Sequence, residues 1–243
     1  MSVPWHRYPD PRQAAEATAK HILSLIEEAM ASSAQATLAV SGGSSPRAMF
    51  EFFAKTRFPW ERVELFWVDE RAVAPTDPQS NYKLANDTWL EPGRFPRRNI
   101  HRIAAELPPG TAAVMYAEEI RAYFKLADGE MPRFDVIHRG MGPDCHTASL
   151  FPGEPLLDDR EGLAAAVWVE KMNQWRITLL PGVLMAARNT VMLVTGGDKA
   201  RPVHDALLGP YDVKRCPAQI GSRDGQPVTW FLDAAAAAEM DRC

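Results

Sequence analysis

Short apolar runs alternate along this chain with longer stretches whose apolar positions recur every three or four residues. The short runs are Thr37 to Val40, Val63 to Val68, Phe134 to Ile137, Ala165 to Val169, Arg176 to Leu180, Thr190 to Val194 and Val228 to Leu232, with a weaker one at Asn99 to Ile103. Runs of this length, rich in branched and aromatic residues, read as buried strands. Between them, Pro11 to Ala31 repeats Ile22, Leu25, Ile26 and Ala29 at helical spacing, with Lys20, Glu27 and Glu28 elsewhere on the wheel. That pattern predicts an amphipathic helix, and Asp10-Pro11 is a good start signal for it. Further helices are expected from Pro46 to Phe53, Tyr82 to Leu90, Thr111 to Lys125, Val183 to Ala187 and Lys199 to Leu208. A last one is expected over the alanine-rich stretch from Asp233 to Met240, because alanine is the strongest helix former. Strand–helix alternation of this kind predicts an α/β fold with a parallel or mostly parallel sheet covered on both faces.

Chemistry-bearing residues gather where strands end, which is where α/β proteins place their sites. After Val40 comes Ser41-Gly42-Gly43-Ser44-Ser45-Pro46, a tight turn into a helix. Such a turn can point several backbone N–H groups and a helix N-terminus at one anion, though it also reads as an ordinary strand-to-helix connection. It is neither a Walker loop nor a G-x-G-x-x-G turn. The strand at Val63 ends in Asp69-Glu70-Arg71. The planar fork of Arg71 suits a phosphate, and Asp69 suits a substrate hydroxyl. The alternative reading is a solvated charge cluster, and Asn81 is bland by itself.

The loop Gly140-Met141-Gly142-Pro143-Asp144-Cys145-His146 follows the run at Phe134. Histidine titrates near neutral pH, so His146 is a candidate general base or acid in a tight turn beside Asp144. No metal-ligating partner stands three or four residues away, which argues against zinc. Arg176 begins a strand, and Lys199 follows the second glycine turn, Gly196-Gly197, another possible anion site. Taken singly, each of these basic residues also reads as a surface position. The remaining histidines read as structural or exposed, and His138-Arg139, at the end of an apolar strand, has no evident role.

Composition narrows the function classes. The 243 residues suit one domain spanning 1–243, with no repeat and no linker. The net charge of −4 gives no nucleic-acid surface, so any anion must be captured by local placement of basic residues. No run is long enough to span a membrane, and the N-terminus has no apolar core of a signal peptide. Three cysteines, Cys145, Cys216 and Cys243, give neither a disulfide framework nor metal-ligand spacing, which points to a reducing, cytoplasmic setting.

The loop and its continuation, Gly140 to Gly153, resemble the 6-phosphogluconolactonase signature G-M-G-x-D-G-H-T-A-S-L-F-P-G. The other pieces stand in the family's order: Ser41-Gly42-Gly43-Ser44, Asp69-Glu70-Arg71, Ser80-Asn81-Tyr82, Arg176-Ile177-Thr178-Leu179 and Lys199-Ala200. The resemblance implies a Rossmann-like fold, shared with glucosamine-6-phosphate deaminases and ribose-5-phosphate isomerases. It implies hydrolysis of 6-phospho-D-glucono-1,5-lactone with no metal and no organic cofactor. His146 would be the general base, with Asp144 and Asp69 in the catalytic group. Ser41, Gly42, Gly43, Ser44, Arg71, Arg176 and Lys199 would bind the phosphorylated substrate. The only partner implied is the small sugar phosphate lactone, with no nucleic acid, membrane or obligate protein partner.

Three other readings are weighed, one of them a degenerate lactonase in which Cys145 has disabled the loop. Deaminases of the related type carry Asp-Glu-Tyr and, after Gly-His, Ile-Ala-Phe-Asn-Glu-Pro, whereas this chain has Arg71 and Thr147 to Pro152 in the lactonase form. A non-catalytic sugar-phosphate sensor would need a DNA-binding module for which the chain has no spare length. The departure from the family is Cys145, where glycine is usual. Glycine suggests a backbone with positive φ. A cysteine there either relaxes the loop or stores strain beside His146. A Cys–His nucleophile pair is disfavoured, because adjacent residues rarely aim their side chains at each other.

Overall fold

The computed structural model describes residues 3–222 and 227–240. In chain order the strands are β1 (Trp5–Tyr8), β2 (Ala36–Val40), β3 (Val63–Trp67), β4 (Asp69–Arg71), β5 (Ile100–His101), β6 (Val136–Arg139), β7 (Ala164–Val169), β8 (Gln174–Leu179), β9 (Thr190–Val194) and β10 (Val228–Asp233). The helices are α1 (Pro11–Ser32), α2 (Arg47–Lys55), α3 (Asn81–Ala85), α4 (Pro109–Phe124), α5 (Pro181–Ala186) and α6 (Ala200–Leu207). Seven strands form one parallel sheet in the order β1-β10-β9-β6-β2-β3-β5. The other three form an antiparallel sheet, β4-β8-β7.

Helices cover both faces of the main sheet, as the alternation predicts. Met192, Val194, Trp230 and Leu232 point to one face and pack with Val203 and Ala206 of α6. Val191, Leu193 and Phe231 point to the other, where α1 lies across β9 and β10 with Ile22 and Ile26 buried. Asp10 caps α1 by accepting the Gln13 N–H at 2.8 Å, and Pro11 occupies its first turn. Leu23 and Met30 complete its buried face, while Leu25 and Ala29 are only half-buried.

Two features position the site. Val68 carries the chain from one sheet to the other: its N–H donates to Val40 O in the main sheet, and its carbonyl accepts Leu179 N–H from β8. The side chains of Asp69 and Arg71 therefore belong to the small sheet. The other feature is an aromatic cluster that anchors α2. Phe53 and Trp89 are 4.8 Å apart between ring centroids, and Trp60 and Trp89 are 5.0 Å apart. Burying one such ring stabilises by about 1.5–3 kcal/mol, so α2 is held firmly against the segment that carries Trp89.

The structure differs from the predicted pattern at four places. β1 is an unpredicted edge strand. The expected helix from Tyr82 runs as α3 and then widens into a π turn at Asn86–Leu90. The alanine-rich stretch from Asp233 is not a helix but consecutive turns over residues 234–240, closed by bonds that span three residues, such as Ala238 N–H to Ala235 O. The Asp233 side chain accepts both Ala236 N–H and Gly196 N–H, which ties the stretch to the end of β9. Finally, Cys145 and Cys216 form a disulfide, contrary to the expectation from the sparse cysteines. Cys243 lies outside the described residues.

Candidate active site

At the carboxyl ends of β2, β6 and β9, beside β4 and β8, lies a cavity of about 460 Å³. Ser41, Gly42, Gly43, Ser44, Asp69, Arg71, His146, Arg176 and Lys199 all line it. Of the sequence candidates, only Asp144 stands back from the wall, behind the His146 ring. A larger groove of about 860 Å³ opens at the amino-terminal ends of the strands, around Gln35, Thr37, Asp135 and Asn189, and holds none of the candidates.

The Ser-Gly-Gly-Ser turn forms because β2 must stop and α2 must start within a few residues. Gly43 has φ +102°, a conformation that a side chain resists. Gly42 is required for space, since a Cβ there would overlap the Asn81 side-chain carbonyl. Pro46 precedes α2 with no side-chain cap, so the N–H groups of the first turn stay available to an anion.

Arg71 and Arg176 face each other across the β4–β8 ladder. Burial lowers the pKa of Arg176, and Arg71 pushes it the same way while Asp69 and Glu70 oppose. The Nε atoms of both arginines are buried without a hydrogen-bond partner among the described residues. Two like charges held side by side at a cavity are chemically suited to a doubly charged anion. Lys199, at the same cavity, pairs with Asp198 at 2.5 Å. The second glycine turn is not a free anion site, because Gly196 N–H is committed to Asp233 at 3.1 Å.

His146 Nδ1 and Asp144 Oδ1 are 2.5 Å apart. Lys171 donates to the other Asp144 oxygen. Burial would raise the Asp144 pKa, but the bonds from His146 and Lys171 outweigh it and hold the carboxyl well below its usual range. An ionised Asp144 accepts a hydrogen bond from His146 Nδ1–H, which leaves the Nε2 lone pair of His146 for a substrate or water. The ring packs 4.2 Å from Phe151, measured between centroids, and Gly142 leaves it room. Asp69 accepts Ser149 Oγ–H at 2.8 Å, so one of its oxygens is fixed.

A model of the family described as glucosamine-6-phosphate isomerases/6-phosphogluconolactonase matches residues 9–230. The chain belongs to that family. Among its curated 6-phosphogluconolactonases, one from Nostoc sp. is 34% identical over 220 residues, covering 90% of each chain. Another, from Streptomyces coelicolor, is 32% identical over 96% of this chain and 93% of its own. A solved structure named devB protein superposes with a TM-score of 0.85 at 29% identity, covering 98% of this chain and 99% of that one. The 6-phosphogluconolactonase of Trypanosoma brucei shares the fold, with a TM-score of 0.85 at 24% identity over 99% of this chain and all of its own.

Against the family's glycine pattern, Cys145 has φ +67°, so the loop has kept its left-handed turn despite the substitution. Its sulfur is bonded to Cys216 rather than directed at His146, which removes the Cys–His nucleophile reading. Three residues gained importance only in the structure. Lys171 braces Asp144 from 27 positions away. Glu70, fully buried, accepts the N–H groups of Arg71, Asn81 and Tyr82 and the Ser80 hydroxyl, and so ties β4 to α3. Asn81 lines the cavity with its Oδ1 unpaired, although its Nδ2 donates to Asp69 O. Spacing carried no signal for Lys171, and Asn81 was marked only by its place in a short motif. His138 and Arg139 are buried on opposite faces of β6. Burial lowers the His138 pKa to about 3, so it is neutral, and lowers that of Arg139 to about 10.

Proposed function

We infer that this protein is a 6-phosphogluconolactonase, hydrolysing 6-phospho-D-glucono-1,5-lactone to 6-phospho-D-gluconate in the oxidative pentose phosphate pathway. The observation that carries the reading is a histidine oriented by a carboxylate, His146 Nδ1 to Asp144 Oδ1 at 2.5 Å, at a cavity that also holds an anion loop and three cations.

The lactone is an ester, so hydrolysis requires water to add at C1 and the ring oxygen to leave. His146 Nε2 takes the proton from water as it attacks, and the imidazolium is stabilised by ionised Asp144. The same proton then passes to the departing ring oxygen. General acid–base help of this kind contributes about 10² to 10⁴ in rate. The 6-phosphate is a remote handle whose binding energy places C1 against the base. It is held by the Ser41 to Ser44 turn with Arg71, Arg176 and Lys199. Asp69 and the unpaired Asn81 Oδ1 accept hydrogen bonds from sugar hydroxyls, which favours a polyhydroxylated substrate over a simple phosphate ester. No metal or organic cofactor enters the mechanism, and the lactone is its substrate. Among the described residues no helix is long and apolar enough to cross a membrane; the reading places the enzyme in the cytoplasm.

The test is to generate the lactone in situ with a glucose-6-phosphate dehydrogenase and to offer glucosamine 6-phosphate in parallel. Acid release well above the spontaneous rate, with no ammonia from the amino sugar, is the expected result. Ammonia release at a comparable rate would assign the site to the deaminase branch instead.

A further inference from the structure

The residue directly before His146 is crosslinked to a distant part of the chain. Cys145 and Cys216 are bonded, with Cα atoms 4.8 Å apart and 71 positions between them in sequence. The Cys145 carbonyl also accepts Ala218 N–H at 2.9 Å, so the catalytic loop is held to the segment beginning at Cys216 by two links, one covalent. Cys145 keeps φ +67°. A residue with a Cβ resists that conformation, whereas the glycine usual in the family does not. Both cysteines line a groove of about 600 Å³, next to the catalytic cavity and sharing Pro143 and Asp198 with it. Asp144, the partner of His146, lines the same groove. Each cysteine is 6% exposed, and the groove gives a route to the bond from solvent.

We propose that Cys145–Cys216 is a thiol–disulfide exchange site, at which a dithiol reductant entering this groove slows the reaction inferred above for His146. A thiolate of the reductant attacks one cysteine sulfur and forms a mixed disulfide, and the other cysteine leaves as a thiolate and takes up a proton. The reductant's second thiol then displaces the remaining cysteine. The dithiol is oxidised to a disulfide, and two electrons and two protons pass to the enzyme. Reduced Cys145 has an acceptor waiting, since its sulfur lies 3.4 Å from the Pro202 carbonyl. With the covalent link gone, the tie from Cys145 to the Cys216 segment is the backbone hydrogen bond from Ala218, and the turn itself rests on the bonds from Cys145 N–H to Gly142 O and from Gly142 N–H to His146 O. The loop then relaxes toward an ordinary conformation and carries His146 out of register. The intrinsic penalty of the left-handed turn corresponds to a loss of about 5- to 30-fold in turnover. The inference rests on the lactonase reading, and the variants separate the two.

The experiment uses the full chain with Cys243→Ser, so that alkylation counts only this pair. The protein is equilibrated across ratios of oxidised to reduced dithiothreitol. Alkylated thiols are counted by intact mass, and lactone turnover is measured on the same samples. The expected result is no free thiol and full turnover at the oxidised end, and two thiols with turnover lowered about 5- to 30-fold at the reduced end, reversing on reoxidation. Cys216→Ala should be slow at every ratio, and Cys145→Gly fast at every ratio. A thiol count that never changes, or turnover equal in both states while the count changes, overturns the proposal. If Cys145→Gly and the oxidised protein both lack lactonase activity while the thiol count still shifts, the fault lies in the lactonase reading, and the proposed effect on turnover falls with it.

Discussion

Gly142→Ala displaces the candidate base without touching its chemistry. Gly142 does not have a positive φ, so its backbone accepts alanine. Space is the obstacle: a Cβ at this position would overlap Cε1 and Nδ1 of the His146 ring and lie 2.7 Å from Asp144 Oδ1. To restore ordinary carbon contact near 3.5 Å the ring must retreat by about 1 Å or more. That movement breaks the 2.5 Å bond between His146 Nδ1 and Asp144. A misplacement of about 1 Å costs on the order of 10²-fold in rate, close to what a general base contributes. The expected outcome is therefore a kcat lowered about 10²-fold with KM within a few-fold, since the phosphate-binding residues are untouched. The assay is the coupled lactone reaction corrected for spontaneous hydrolysis, with thermal unfolding to show that the variant folds. A folded Gly142→Ala protein with kcat within about threefold of wild type would refute the placement of the base, because general-base loss costs far more than that.

The cation wall and the charge network around the site give further expectations. Arg71→Ala and Lys199→Ala should each weaken 6-phosphogluconate binding by about 1.5–3 kcal/mol while leaving gluconate nearly unchanged; equal losses for both ligands in calorimetry would remove these residues from the phosphate site. Lys171→Met takes away one of the two donors that hold the Asp144 carboxyl low, so that carboxyl should titrate at higher pH in the variant, and an Asp144 titration unmoved in NMR would show that Lys171 is only a surface cation. Burial alone would lower the His101 pKa, but its bonds to Glu119 at 2.7 Å and Glu64 at 2.9 Å raise it above 6.5. The stability it contributes is complete below pH 6.5 and fades as pH rises through the raised folded pKa. Melting temperatures from pH 6 to pH 9 should show a decline that His101→Gln lacks, and parallel curves would discount the network.

Much of the site was legible because glycine and proline punctuate it. Ser41 to Pro46 and Gly140 to Pro143 each end an apolar run, and a parallel sheet brings such run ends to one side. What escaped notice depended on contacts between distant residues. Val63 to Val68 reads as one strand, and nothing local reveals that Val68 passes the chain to a second sheet. Trp5 to Tyr8 lacks the apolar character of a buried strand because β1 lies at an edge. The alanine stretch failed for a different reason: a short segment gains little from propensity alone, and Asp233 bonds to Gly196 and Ala236 impose turns instead. The disulfide was hidden because proximity across 71 positions is a property of the fold. Arg71 and Arg176 were each visible as basic residues, but only the antiparallel register places them opposite each other.

The most direct measurement is the rate of 6-phosphogluconate release from freshly generated lactone by wild type and by His146→Ala at equal concentration, with the uncatalysed rate subtracted. The account predicts strong acceleration by wild type and a kcat lower by about 10² or more in the folded variant, with KM changed only a few-fold. A folded His146→Ala protein that turns over the lactone at close to the wild-type rate would contradict it.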